Sequence, residues 1–225
     1  MSSDHVRDHF DQVAGGYDRG KERARYYYSE LKLLVAELVP KGSHVLEVGC
    51  GTGDILASLE PSVGVGIDLS SEMVALARQK HPSLRFLVHS VVDSQLDEAF
   101  DFVVAIDVME HLSDLNRAMA SMARMLAPGG SLVVTTADPR WGHVLDVAER
   151  LKLKMPEGEH QWRSHDDLVA AARAAGLVER FFDRSFLVPR AIPLLKALNT
   201  ARWAAPLRRR YGLIQRVAFQ STGAL

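Results

Sequence analysis

One stretch constrains this chain more than any other: His44-Val45-Leu46-Glu47-Val48-Gly49-Cys50-Gly51-Thr52-Gly53-Asp54, an apolar run that breaks into alternating glycines. Val45, Leu46 and Val48 read as a short buried strand, and Gly49, Gly51 and Gly53 let the backbone bend tightly and approach a ligand with no Cβ in the way. Polar backbone groups then face a nucleotide-like ligand lying across the turn. The dinucleotide fingerprint G-x-G-x-x-G sets its third glycine one residue later, where this chain has Asp54, and that weakens a nicotinamide-cofactor reading. Glu47 inside the strand and Asp68 after Val63-Gly64-Val65-Gly66-Ile67 add two carboxylates near the carboxyl edge of a parallel sheet. One would meet an amine, the other a ribose.

Apolar runs near 44–49, 63–67, 84–88, 100–106 and 131–136 alternate with helical patterns, clearest over Ser71–Gln79 and Ser113–Leu126, and this rhythm predicts βαβ units. Leu31, Leu34, Val35, Leu38 and Val39 form a helix before the sheet, introduced by Tyr26-Tyr27-Tyr28. Pro128-Gly129-Gly130 is expected to stop the long helix and launch Leu132–Thr135, and Gly176 to end a helix over Asp166–Ala175 before a strand at Leu177–Phe182. Two insertions, Ala137–Trp162 and Pro189–Tyr211, interrupt the pattern before a last strand-like run, Ile214–Gln220.

With 225 residues, 47% of them hydrophobic and 24% charged, the chain suits one full core plus embellishments. The N-terminus is charged from the start and no run approaches a membrane span or signal core, so a cytoplasmic location is expected. Cys50 is the only cysteine, which leaves no disulfide framework or cysteine metal site within one chain.

Four motifs then stand in order: E-x-G-x-G-x-G over 47–53, V-G-I-D-L-S over 65–70, D-V-M-E-H-L over 107–112 and L-A-P-G-G-S-L over 126–132. Together, across residues 10 to 183, they resemble the motifs of class I S-adenosylmethionine (SAM) methyltransferases. The ordered set is far more specific than a lone glycine loop. The resemblance implies an α/β fold, a doubly wound, Rossmann-like, seven-stranded, mostly parallel sheet with an antiparallel edge strand and helical cap insertions. It also implies a single domain: lid helices over 1–40, a SAM-binding core over 41–136, and acceptor-side caps over 137–165 and 189–212.

In that family frame Asp68 binds the ribose hydroxyls, Gly49 and Gly51 line the methionine and sugar with Cys50 filling the turn, and Glu47 orients the turn or the amino group. Leu69, Met73 and Val91 complete the cofactor wall. Where the family often has an Asp after the third strand this chain has Ser90, whose hydroxyl or a backbone amide would read the adenine amine; His89 beside it reads as an exposed loop residue. The backbone at Asp107 faces the methionine part. Tyr17, in Ala14-Gly15-Gly16-Tyr17-Asp18, resembles the N-terminal lid motif, with packing as its alternative role.

His111 is the leading general-base candidate, because an imidazole that titrates near neutrality can take a proton from an acceptor hydroxyl; anchoring the helix start is its other reading. His160 or His143, in the first insertion with Trp141 and Trp162, could replace it. These histidines lack a metal-ligand spacing and no metal is expected. Methyl transfer from an activated sulfonium needs alignment and exclusion of water more than strong acid–base help.

The net charge of −1 hides an asymmetry: residues 186–225 contain seven Lys and Arg and no Asp or Glu, which leaves 20 basic against 28 acidic residues before them. Arg202, Arg208, Arg209 and Arg210 with Trp203 suit an anionic substrate or a membrane surface, or else a cap helix packed on the acidic body. The expected partner is a small-molecule acceptor and not nucleic acid, since Asp107-Val108-Met109 lacks the Pro-Pro-aromatic signature of amino-methylating nucleic-acid enzymes. Rival readings are a NAD-dependent oxidoreductase, and a SAM binder that methylates carbon or nitrogen or does not methylate at all.

Overall fold

The computed structural model describes residues 3–93, 96–151, 160–189, 192 and 197–222. Seven strands form one sheet: β1 (His44–Val48), β2 (Val63–Asp68), β3 (Arg85–Val88), β4 (Phe100–Ile106), β5 (Leu126–Ala137), β6 (Leu177–Ser185) and β7 (Ile214–Ser221), in the order β3-β2-β1-β4-β5-β7-β6. β1 to β5 pair in parallel, and β7 runs antiparallel to both β5 and β6. The antiparallel pair therefore closes one side of the sheet with β7 inside and β6 outermost. β6 points the same way as β1–β5, so the segment after it stands on their carboxyl edge. The strand order reverses between β1 and β4, which places the ligand crevice of a doubly wound sheet between their carboxyl ends.

The helices are α1 (Ser3–Arg23), α2 (Arg25–Ala36), α3 (Asp54–Ser58), α4 (Ser71–Lys80), α5 (Leu115–Arg124), α6 (Gly142–Arg150), α7 (His165–Ala174), α8 (Ala197–Thr200) and α9 (Ala205–Tyr211). Successive strand residues point to opposite faces, and both faces are covered. Leu46, Val48, Val65, Ile67, Val103 and Ala105 pack with Met119 and Met122 of α5 and Leu168 of α7. Val45, Val104, Ile106 and Val133 pack on the other side with Leu31 and Val35 of α2, Leu56 of α3 and Val74 of α4.

Short polar side chains set the helix starts. Ser70 Oγ accepts from the Met73 amide at 3.1 Å, and Ser164 and Asp167 form a reciprocal capping box. The helix expected over Ser113–Leu126 is shorter because Asp114, accepting from the Arg117 amide at 2.9 Å, caps it just inside that range. Pro128-Gly129-Gly130 does not launch β5 but lies within it: Phe100 pairs with Leu126 and Phe102 with Ser131, so these residues bulge out of register.

The described parts of the two insertions follow strands that end on the carboxyl edge. A turn at Pro139–Trp141 and α6 come after β5; α8, a turn at Arg202–Ala204 and α9 come after β6. Of the residues singled out in sequence, Arg190, Lys196, most of Ile192–Leu195 and all but the first residue of Leu151–Pro156 lie outside the described residues. Not all of the basic tail is free. Arg216 is 5% exposed and donates to the Leu34 carbonyl at 2.9 Å, to Glu37 at 2.8 Å and to Asp183 at 3.2 Å, tying α2 to the sheet.

Candidate active site

A cavity opens at the crevice between β1 and β4, floored by the glycine turn and roofed by one face of α1. That face contributes Ser3, Val6, Phe10, Tyr17 and Lys21, at helical spacing. The turn needs its glycines at two places. Gly49 has φ +68° and a Cβ there would stand 2.6 Å from Val108 Cγ2; Gly53 has φ +80° and a Cβ there would stand 2.6 Å from Phe86. Both the left-handed backbone and the close approach exclude a side chain.

Asp68, at the end of β2, is held by two backbone amides: Oδ2 accepts from the Gly51 amide at 2.8 Å and Oδ1 from the Ser70 amide at 2.9 Å. A carboxylate has about four acceptor positions, so lone pairs are left for the cavity. Burial pushes its pKa up against these hydrogen bonds. Glu47 lines the same cavity, is 2% exposed, and accepts from the Leu56 amide of α3 at 3.0 Å. Burial raises its carboxyl to about 8, against the pull of Lys21 and of that amide. Cys50 fills the turn, and burial drives its thiol pKa upward.

After β4 the chain turns at Asp107, whose φ is +52°. Its Oδ2 accepts from the Tyr27 hydroxyl at 2.7 Å and its Oδ1 from Thr135 Oγ1 at 3.0 Å. The next turn, Met109–His111, is anchored by buried Glu110, which accepts from Thr136 Oγ1 at 2.8 Å. His111 consequently lines the cavity, edge-on to Phe10 at a ring separation of 5.4 Å and 5.3 Å from His160, which stacks on Trp162 at 4.7 Å.

Twelve of the fourteen residues assigned roles from sequence come together: Tyr17, Glu47, Gly49, Cys50, Gly51, Asp68, Leu69, Met73, Ser90, Val91, Asp107 and His111 line one cavity. His160 stands behind His111 without lining it. His143, expected as an alternative base, is exposed on α6 and does not line the cavity. His89 also departs from expectation. Its amide donates to the Asp68 carbonyl at 2.8 Å, which draws the residue inward to line the cavity beside Asp68, with Nε2 buried.

Phe10 and Lys21 line the cavity with no motif to announce them, and of the tyrosine cluster before the sheet Tyr28 lines it while Tyr27 reaches it only through Asp107. Lys21 lies 3.6 Å from Asp54 and over the Tyr17 ring, and burial lowers its pKa despite Asp54 and Glu47. Asp54, the residue at odds with the dinucleotide fingerprint, starts α3; burial opposes its charge, yet bonds from Lys80 and His81 and the charge of Lys21 hold its pKa far below the usual range. Lys80 joins Asp54 at 2.9 Å to Asp18 of α1 at 2.9 Å, and Asp11 accepts from Ser70 Oγ at 2.5 Å, so α1 is pinned across the cavity by charge and hydrogen bonds.

The lining suits SAM. Asp68 and Asp107, with the protonated carboxyl of Glu47, line a cavity suited to a ligand that carries an ammonium, a sulfonium and a ribose diol, while Ile67, Leu69, Met73 and Val91 offer apolar walls for adenine. The same carboxylates suit a nicotinamide cofactor's pyrophosphate poorly.

A methyltransferase-domain family profile matches residues 20–178. The ubiquinone biosynthesis O-methyltransferase of Nitrobacter winogradskyi is 30% identical over 131 residues, 54% of this chain and 50% of that protein. That of Xanthomonas axonopodis pv. citri is 32% identical over 162 residues, 65% of this chain and 67% of that protein. The chain thus spans about half to two thirds of the length of these relatives. The structure of magnesium protoporphyrin IX methyltransferase from Synechocystis PCC 6803 with bound SAH superposes with a TM-score of 0.66 at 17% identity, covering 97% of this chain and 99% of that one, a likeness of fold. This chain belongs to the class I SAM-dependent methyltransferases, and SAM is its cofactor.

Proposed function

We propose that the chain methylates a hydroxyl of a small molecule, a natural product or a quinone-like or lipid-linked acceptor, with His111 as general base. One observation carries the reading: His111 is the imidazole that lines the donor cavity on the cap side, among Phe10, His160 and Trp162. The O-methyltransferase relatives support oxygen as the nucleophile.

SAM supplies a methyl group already activated on a sulfonium. Asp68 holds the ribose, Glu47 and the glycine turn the amino-acid end, and Ser90 with Val91 the adenine. α1 and Tyr17 keep water out. His111 takes the hydroxyl proton as the oxygen attacks, and Phe10 and His160 fix its ring. Residues 1–40 act as lid, 41–136 as donor core, and 137–165 with 189–212 as acceptor caps. A cytoplasmic setting fits a chain whose one thiol is buried and free.

The acceptor carries or borders negative charge in this reading. Of Arg202 and the Arg208–Arg210 run, Arg208 is used internally, donating to the Leu198 and Ala201 carbonyls at 3.0 and 2.8 Å, whereas Arg202, Arg209 and Arg210 are exposed.

The test is methyl transfer from labelled SAM to a panel of phenolic and amine acceptors, with the product methyl located by mass spectrometry. His111→Ala should lose turnover about 100- to 10,000-fold with SAH affinity kept. Unchanged turnover would remove the base role; methyl found only on nitrogen or carbon would overturn O-methylation.

A further inference from the structure

We infer that the cap end of the molecule seats on an anionic lipid bilayer through α6 with Leu151 and the segment 202–211. Eleven large hydrophobic side chains are exposed among the described residues, and six lie on these two short stretches. On α6 and its C-cap they are Val144, Val147 and Leu151, exposed by 55%, 52% and 64%. At roughly 100° per residue these three form one stripe, bordered by His143 and Arg150, with Asp146 and Glu149 on the other side of the wheel. On the second stretch they are Trp203, Leu207 and Tyr211, Trp203 being 65% exposed. Leu207, Arg210 and Tyr211 share one face of α9; Arg202 is exposed on the turn before it, and Arg209, also exposed, points about 200° round the helix from Leu207.

The two stretches are neighbours. Trp141 Nε1 donates to the Tyr211 carbonyl at 3.1 Å and Arg140 to the Arg210 carbonyl at 2.6 Å, which joins the start of α6 to the end of α9. Both come after strands that end on the carboxyl edge of the sheet, the edge that also holds Asp68, Asp107 and His111. Clustered aliphatic side chains, a tryptophan and arginines with no acidic residue anywhere in 186–225 match the chemistry of an interface with anionic headgroups. No helix among the described residues is long and apolar enough to cross a membrane, so the contact is one of lying on the surface. An acceptor held in the bilayer would meet the cavity from the cap side; this rests on the methyl-transfer reading only for its purpose, not for its geometry.

Co-sedimentation of the full chain with vesicles tests the inference. Binding is expected to phosphatidylglycerol–phosphatidylcholine vesicles and not to phosphatidylcholine alone, and to fall as salt is raised to about 0.5 M. The triple variant Arg202→Ser, Arg209→Ser, Arg210→Ser should bind roughly a hundredfold more weakly. Val144→Ser with Val147→Ser and Leu151→Ser should weaken binding about tenfold or more. SAH affinity stays unchanged in both, which certifies the fold; should either triple variant lose it, the single variants Trp203→Ser and Leu207→Ser carry the test. Absence of binding, equal binding to neutral vesicles, binding indifferent to both sets of substitutions, or a dimer that the Val144 set dissociates would each overturn the inference. Loss of SAH binding in the unaltered chain would instead count against the donor site alone.

Discussion

Asp68 takes amides from Gly51 and Ser70 and lines the cavity with what acceptor capacity remains, so one side chain both folds the turn and addresses the ligand. Glu47 is the more unusual carboxyl. Its folded pKa of about 8 lies above the ordinary value near 4.3, so between these limits the folded chain keeps a proton that the unfolded chain has released. Stability of the ligand-free protein therefore falls as pH rises through that window, by about 1.4 kcal/mol per pH unit. Urea unfolding across the window checks this, and Glu47→Gln should flatten the decline. A decline unchanged in that variant would assign the proton elsewhere. Gly53→Ala tests the turn itself: the left-handed backbone and Phe86 at 2.6 Å predict a loss of about 2 kcal/mol or more, read by the same unfolding curves.

The element that decides access is α1. Its polar contacts run to the glycine turn, α3 and α4: Asp11 to Ser70, Asp18 to Thr52 and Lys80, Lys21 to Thr52 and Asp54. Lys80 and Asp18 are partly exposed, so Lys80→Ala should lower global stability by less than about 1 kcal/mol. Hydrogen exchange in α1 should nevertheless quicken, and SAH should dissociate faster, because Lys80 ties the roof to α3 and α4. Unaltered exchange in α1 would show that packing at Val6 and Ala14, its two buried residues, holds the roof alone.

Across the whole molecule, legibility in the sequence tracks the range of the interaction that makes each feature. β1, the glycine turn, Asp68 and the start of α4 are local: short apolar runs, glycines where φ is positive and a serine cap, with most of the twelve assigned lining residues in or beside motifs. Phe10 and Lys21 arrive because α1 folds back over the carboxyl edge, which its own sequence does not specify. His89 looks exposed in sequence because its pull inward comes from the Asp68 carbonyl on a neighbouring strand. His143 looks available because the wheel of α6 can be drawn either way until Trp162 packs against Gly142, where an added Cβ would stand 2.7 Å from the indole nitrogen. The +7 tail likewise mixes two fates, Arg216 and Arg208 bonded within the fold and Arg202, Arg209 and Arg210 outside it.

The central claim is that the acidic cavity at the β1–β4 switch point holds SAM through Asp68. Calorimetric titration of the purified chain with SAH, beside Asp68→Ala shown by circular dichroism to be folded, addresses it directly. Losing a charged hydrogen-bonding partner predicts an affinity loss of roughly a hundredfold in the variant, with one site per unaltered chain. Equal affinity in the two proteins would contradict it.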